Sequence, residues 1–141
     1  MEDDALLLVK AVRAALDAGK VVLEVYDSDY AVEHKEDLSP LTQADRKSHD
    51  LLMDALSIDG LPVLSEEGRE IPYEERKRWE RLWIVDPLDG TKEFIKRNGE
   101  FTVNIALIAD GQPVMGAVVV PARDRLYMGA KKANAYKIEG Y

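Results

Sequence analysis

The chain contains no cysteine, which excludes disulfide staples and thiolate metal sites and makes a reducing, cytoplasmic location the expectation. Histidine is nearly as scarce, with two in 141 residues. His34 and His49 read as surface or helix residues without a role. No apolar run approaches the roughly 18 residues needed to span a membrane. The opening "MEDDALLLVK" begins with acids, the wrong flank for a secretory signal. Basic residues are outnumbered, 19 against 27, for a net charge of −8. With no extended run of Lys or Arg, that balance repels nucleic acid. Repeats, low-complexity tracts and linkers are absent as well. What remains is 46% hydrophobic and 33% charged, a globular composition whose length suits a single domain over residues 1–141.

The apolar spacing of Leu8, Val12, Leu16, Val21, Val22 and Val25 predicts one long helix over about 3–26, with Gly19 a weak point. A short strand is expected at 30–34. Thr42 and Asp45 have the spacing of a capping box, which predicts a second helix to about Ile58. Its core face would comprise Ala44, Leu51, Leu52, Ala55 and Leu56. Short strands follow at 62–65 and 82–85, separated by a highly charged exposed segment, 69–81. From Phe101 onward the pattern is a β-meander, with Asp110-Gly111 as a hairpin turn. Helices first and hairpins later predict an α+β fold, with two long helices packed on a largely antiparallel sheet.

Three acidic groups stand out: Asp45, the pair Glu66-Glu67 and, in "WIVDPLDGTKEF", Asp86 with Asp89. Glu66 and Asp86 each follow a short apolar strand. If those strands are neighbours, several carboxylates meet, repel one another and raise one another's pKa values. Hard divalent cations resolve such repulsion: Mg²⁺ takes carboxylate and carbonyl oxygens, and two ions about 4 Å apart can hold both oxygens of a phosphoryl transfer. Pro87 turns the chain after Asp86, which would bring the Leu88 carbonyl and the Asp89 carboxylate to the same ions. Gly90-Thr91 opens a short helix, to about Lys96, whose free N–H groups favour phosphate. The Thr91 hydroxyl and Asp45 would share, orient and deprotonate a water. Blander readings stand beside these. Asp-Pro-x-Asp-Gly also makes an ordinary turn, Glu66-Glu67 a solvated strand end, and Asp45 a capping acid.

Three motifs in order, "SPLTQADRKSHDLL", "LPVLSEEG" and "WIVDPLDGTKEFIKRNGEFTVNIALI", resemble the inositol monophosphatase-like family of metal-dependent, lithium-sensitive phosphatases. The "DPLDGTKEF" form looks most like the 3′(2′),5′-bisphosphate nucleotidases, which convert 3′-phosphoadenosine 5′-phosphate to AMP and phosphate; inositol or sugar monophosphatases are the alternative. The resemblance implies the layered αβαβα sugar-phosphatase fold. It makes Glu66, Asp86 and the Leu88 carbonyl ligands of one Mg²⁺, and Asp86, Asp89 and a further acid ligands of a second. Thr91 and Asp45 would activate the water, the backbone of Asp89, Gly90 and Thr91 would cradle the scissile phosphate, and Glu67 would stand behind the ligands. The expected partner is a small phosphorylated nucleotide. Members of the family are about twice as long, and their C-terminal half supplies a further metal-binding aspartate and most substrate contacts. Asp110 and Asp124, in meander turns, are poor substitutes. The expectation is therefore an N-terminal half, active or an inactive metal- and phosphate-binding half-domain, with an exposed face open to homo-oligomerisation.

Overall fold

The computed structural model describes residues 4–28 and 39–141; the strand expected at 30–34 lies outside the described residues. Helix α1 spans Asp4–Asp27 without a break at Gly19. Its buried stripe runs through Leu7, Ala11, Ala14, Ala15, Ala18, Val22 and Val25, while Leu8, Val12 and Leu16 flank it, partly buried. Small side chains form the centre because the helix lies close to the sheet. A Cβ at Gly19 would come within 2.9 Å of Val119 Cγ1 and 3.2 Å of Pro121 Cγ. Gly19 is thus a point of contact rather than of weakness.

Helix α2 spans Pro40–Leu56, and its cap differs from the expected one. Ser39 is the N-cap: its Oγ accepts the Thr42 amide at 3.1 Å, and Pro40 follows at the first helical position, where its missing N–H costs nothing. The Thr42–Asp45 capping box does not form. The helix begins earlier, so Asp45 lies inside it with its carboxylate released from capping. Ala44, Ser48, Leu52 and Leu56 form the buried row of α2, with Leu51 and Ala55 packed at its margin.

A 3₁₀ turn, Ser57–Asp59, leads to strand β1, Val63–Ser65. The charged segment that follows holds one helical turn, α3, Tyr73–Arg76. Strand β2 runs over Arg81–Asp89, then helix α4, Thr91–Lys96. Strands β3, Thr102–Ala109, β4, Gln112–Val120, β5, Arg125–Ala130, and β6, Ala135–Glu139, complete the meander. The β3–β4 turn has positive φ at both Asp110 (50°) and Gly111 (77°), the geometry that an Asp-Gly pair tolerates.

The six strands of the described residues form one sheet in chain order. Among the described residues only β1 and β2 pair in parallel, Val63 opposite Trp83 and Ser65 opposite Val85; the other described pairs are antiparallel. Helix α1 packs on β3, β4 and β5, and α2 on α1, β1 and β2, so both cover one face. That face supplies Trp83, Val85, Val103, Ile105, Leu107, Met115, Ala117, Val119 and Leu126 to the core. The alternate residues of these strands, among them Ile84, Asn104, Ala106, Val118 and Tyr127, point to the other face. There Ile84 and Tyr127 are 40% and 39% exposed, and no described element covers them.

Candidate functional site

Strand β2 does not end at Asp86 as its sequence suggests; it continues through Asp86-Pro87-Leu88 to Asp89. Asp86 pairs with Asn104 and Asp89 with Thr102, so β2 holds one more residue than β3 across this interval. The result is a bulge rather than a sharp turn. A proline in a strand is tolerated at such a place because a ladder bond is already lost. Asp86 Oδ1 accepts the Leu88 amide at 3.2 Å, and the buried Ser48 Oγ donates to the Pro87 carbonyl at 2.7 Å.

The neighbouring strand brings in the second acidic group. The Glu66 amide donates to the Val85 carbonyl at 3.2 Å, extending the parallel ladder by one residue and setting Glu66 level with Asp86. Burial, the Glu66 charge, a hydrogen bond shared with Glu66 that favours the protonated Asp86, and the Asp89 charge together push the Asp86 carboxyl up to about 6, against a weaker pull from the Leu88 amide. Asp45, on α2, is pushed up to about 7, first by burial, then by the charges of Glu67, Asp86 and Glu66. Its Oδ1 is buried with no hydrogen-bond partner among the described residues. Asp45, Glu66, Glu67 and Asp86 therefore form one electrostatic cluster, drawn from three elements. Among the described residues, no three acidic or histidine groups converge closely enough to make a ready metal cage. The chemistry of these residues nevertheless suits Mg²⁺: hard oxygen donors, one orphaned buried oxygen, and several like charges that a cation would neutralise.

Asp89 lies at the far side of the bulge, where its Oδ2 accepts from Asn104 Nδ2 at 3.1 Å. Gly90 follows with φ 88°, and a Cβ there would meet the Glu100 carbonyl oxygen at 3.0 Å, so only glycine fits. Thr91 opens α4 and is exposed. No direct hydrogen bond joins it to Asp45 among the described residues. The short helix is held by an aromatic cluster: Phe94 lies 5.4 Å from Tyr26 and 5.2 Å from Phe101, centroid to centroid, and Tyr26 lies 4.7 Å from Phe101. The Arg97 guanidinium stacks over Tyr26 at 4.4 Å.

The sequence profile of the inositol monophosphatase family matches residues 3–139. The chain belongs to this family. A family relative from Salmonella typhimurium, the 3′(2′),5′-bisphosphate nucleotidase CysQ, is 46% identical over 137 residues, covering 94% of this chain and 55% of its own length. The CysQ protein of Buchnera aphidicola is 40% identical, over 96% of this chain and 52% of its own. Among solved structures, CysQ from Bacteroides thetaiotaomicron superposes with a TM-score of 0.88 at 50% identity, over 94% of this chain and 49% of that one. The extragenic suppressor protein suhB from Bartonella henselae gives 0.76 at 31% identity, over 94% and 51%. The chain thus spans about half the length of the relatives it matches, and its α+β sheet is the fold of this family.

Two polar residues of this family member, Ser48 and Asn104, escaped the sequence reading, and a third, His49, was read as a surface or helix residue without a role. Ser48 had a visible signal, a hydroxyl in the row Ala44, Leu52 and Leu56, where a polar group needs a partner. Asn104 had a weaker one, an amide in an apolar strand. His49, which shares a 2.8 Å hydrogen bond with Ser65 Oγ, had none, because its partner is set by how α2 meets β1.

Proposed function

We propose that this chain carries the acid cluster of a Mg²⁺-dependent phosphomonoesterase that removes the 3′-phosphate of 3′-phosphoadenosine 5′-phosphate, giving AMP and phosphate. The observation that carries the reading is the meeting of Asp45, Glu66, Glu67 and Asp86, with two carboxyls pushed toward neutrality. The names of the curated relatives support the substrate class. Glu66, Asp86, the Leu88 carbonyl and Asp89 would hold Mg²⁺. When bound, the ion supplies charge neutralisation to the phosphate and a more acidic water.

The protein's own groups have separate tasks. Asp45 takes the proton of the attacking water; its raised pKa marks it as a base near its working range, one that a cation lowers by screening its neighbours. The Thr91 hydroxyl orients that water. The amides of Gly90 and Thr91 donate to the phosphate oxygens where the chain enters α4, and Gly90 allows the backbone to come close. Glu67 adds charge behind the ligands. The released oxygen of the ribose carries away one proton, leaving inorganic phosphate.

The test is phosphate release from 3′-phosphoadenosine 5′-phosphate with Mg²⁺, beside Asp86→Asn, with lithium added in a further arm and inositol 1-phosphate as the competing substrate. Release that requires Mg²⁺, favours the nucleotide and disappears in Asp86→Asn supports the reading. Preference for inositol 1-phosphate would move the substrate within the family. Mg²⁺-independent release, or an active Asp86→Asn, would refute it.

A further inference from the structure

Four carboxylates that repel one another must be held from outside, and one turn of α2 touches both strands that carry them. Asp45, Ser48 and His49 stand at positions i, i+3 and i+4, on one face of the helix. Ser48, fully buried, donates to the Pro87 carbonyl at 2.7 Å. That carbonyl belongs to the residue between Asp86 and Leu88, in the stretch where the β2–β3 register breaks. His49 Nδ1 lies 2.8 Å from Ser65 Oγ, the imidazole tautomer setting the direction of the bond. Ser65 is itself buried, and its Oγ also accepts the Glu67 amide at 3.3 Å. The Gly68 amide closes the turn on the Ser65 carbonyl at 3.1 Å. A Cβ on Gly68 would lie 3.4 Å from His49 Cε1, so the ring lies flush against the turn that displays Glu66 and Glu67.

We infer that Ser48 and His49 are positioning residues: one bonds the bulge between Asp86 and Asp89, the other the turn carrying Glu66 and Glu67, and together they fix both relative to Asp45. Neither touches the reacting atoms. Each bond ends one residue away from a group that would hold the cation, and polar partners at that distance govern the orientation of metal-binding side chains. An apolar contact would hold the elements together equally well but would not fix the azimuth of Ser65, through which the Glu67 amide is also tied. The inference rests on the metal reading above.

The experiment uses the 141-residue chain, with Mn²⁺ affinity measured by electron paramagnetic resonance, metal-free unfolding by thermal melts, and metal-free amide exchange by NMR. His49→Ala should weaken Mn²⁺ binding by about tenfold or more, speed exchange of the Glu67 and Gly68 amides, and leave the metal-free melting temperature nearly unchanged, because His49 is only half-buried. His49→Asn, whose amide can reach the Ser65 hydroxyl, should recover most of the affinity. Ser48→Ala should weaken binding as well, with exchange accelerated at Leu88 instead. Unchanged Mn²⁺ affinity and unchanged exchange in His49→Ala would overturn the inference while leaving the metal reading standing. So would a loss of affinity that merely follows a loss of fold in all three variants. A parent chain that binds no Mn²⁺ would overturn both, and the parent measurement alone reveals it.

Discussion

The Glu66 carboxyl lies within hydrogen-bonding reach of Asp86, although twenty residues separate them in the chain. One backbone bond, from the Glu66 amide to the Val85 carbonyl, brings this about. Parallel pairing of β1 with β2 sets Glu66, the first residue past β1, level with Asp86 inside β2, so the two acids arrive side by side. A shift of that register by one residue would turn Glu66 to the opposite face and scatter the cluster.

The cluster makes metal-free stability depend on pH in a defined direction. Asp86 and Asp45 rise from an ordinary 3.8 to about 6 and about 7, so the folded protein holds protons that the unfolded chain has released. Their contribution is therefore most favourable toward pH 4 and is lost as pH rises through 6 to 7. Solvent reaches both groups and reduces the cost to about 1 kcal/mol each. Thermal melts in a chelator should show Asp45→Asn and Asp86→Asn gaining stability over the parent at pH 7.5 but not at pH 4.5. Equal melting temperatures at pH 7.5 would mean that the carboxylates do not repel.

Divalent cation should reverse that penalty. Millimolar Mg²⁺ at pH 7.5 should raise the melting temperature of the parent by a few degrees, through its preference for the folded state. The same addition should do little for Asp86→Asn. An equal rise in both would assign the effect to ionic strength, which a matched Na⁺ control reads directly.

Gly90 and Gly60 separate crowding from conformation. Both have positive φ, but a Cβ at Gly60 meets nothing within 4 Å, whereas at Gly90 it meets Glu100 O and Phe101 Cα. Gly60→Ala should cost about 1 kcal/mol, from the left-handed backbone alone. Gly90→Ala should cost more, about 2–4 kcal/mol, since strain and collision add. Urea unfolding measures both, and equal losses would show that the backbone at Gly90 can move aside.

The aromatic cluster should anchor α4 and the Gly90–Thr91 segment. Phe94→Ala, which opens a cavity between Tyr26 and Phe101, should cost about 3–5 kcal/mol, while Phe94→Leu should cost about 1–2 kcal/mol. In the leucine variant, amide exchange should accelerate first within residues 91–96. Uniform acceleration across the sheet would instead show that α4 unfolds only with the whole protein.

The uncovered sheet face should associate. Ile84, Ala106, Val118 and Tyr127 present an apolar surface without a described cover, and such surfaces pair. Size-exclusion chromatography should show concentration-dependent self-association of the 141-residue chain, reduced in Tyr127→Glu, where the new acid would stand opposite Lys137. A monomer at every concentration would rule this out.

Local signals were enough for much of the fold. The helical spacing of α1 and α2, the Asp-Gly hairpin and the alternation of the meander are properties of neighbouring residues, and they placed those elements nearly where they lie. Cap and bulge were harder. Ser39 out-competed Thr42 because Pro40 is pre-set for a first helical position, and β2 ran past Asp86 because Ser48 takes up the Pro87 carbonyl that the bulge leaves over.

The sequence by itself singled out the candidate groups, acids and a threonine, with cysteine absent and histidine scarce. It also determined the family, through motifs whose order survives in the linear chain. Only the tertiary structure decided which acids meet, since the parallel β1–β2 pairing and the packing of α2 across it are contacts between distant segments. It alone decided the partners of Ser48, His49 and Asn104, because a hydrogen bond across two elements leaves no mark in the spacing of either one.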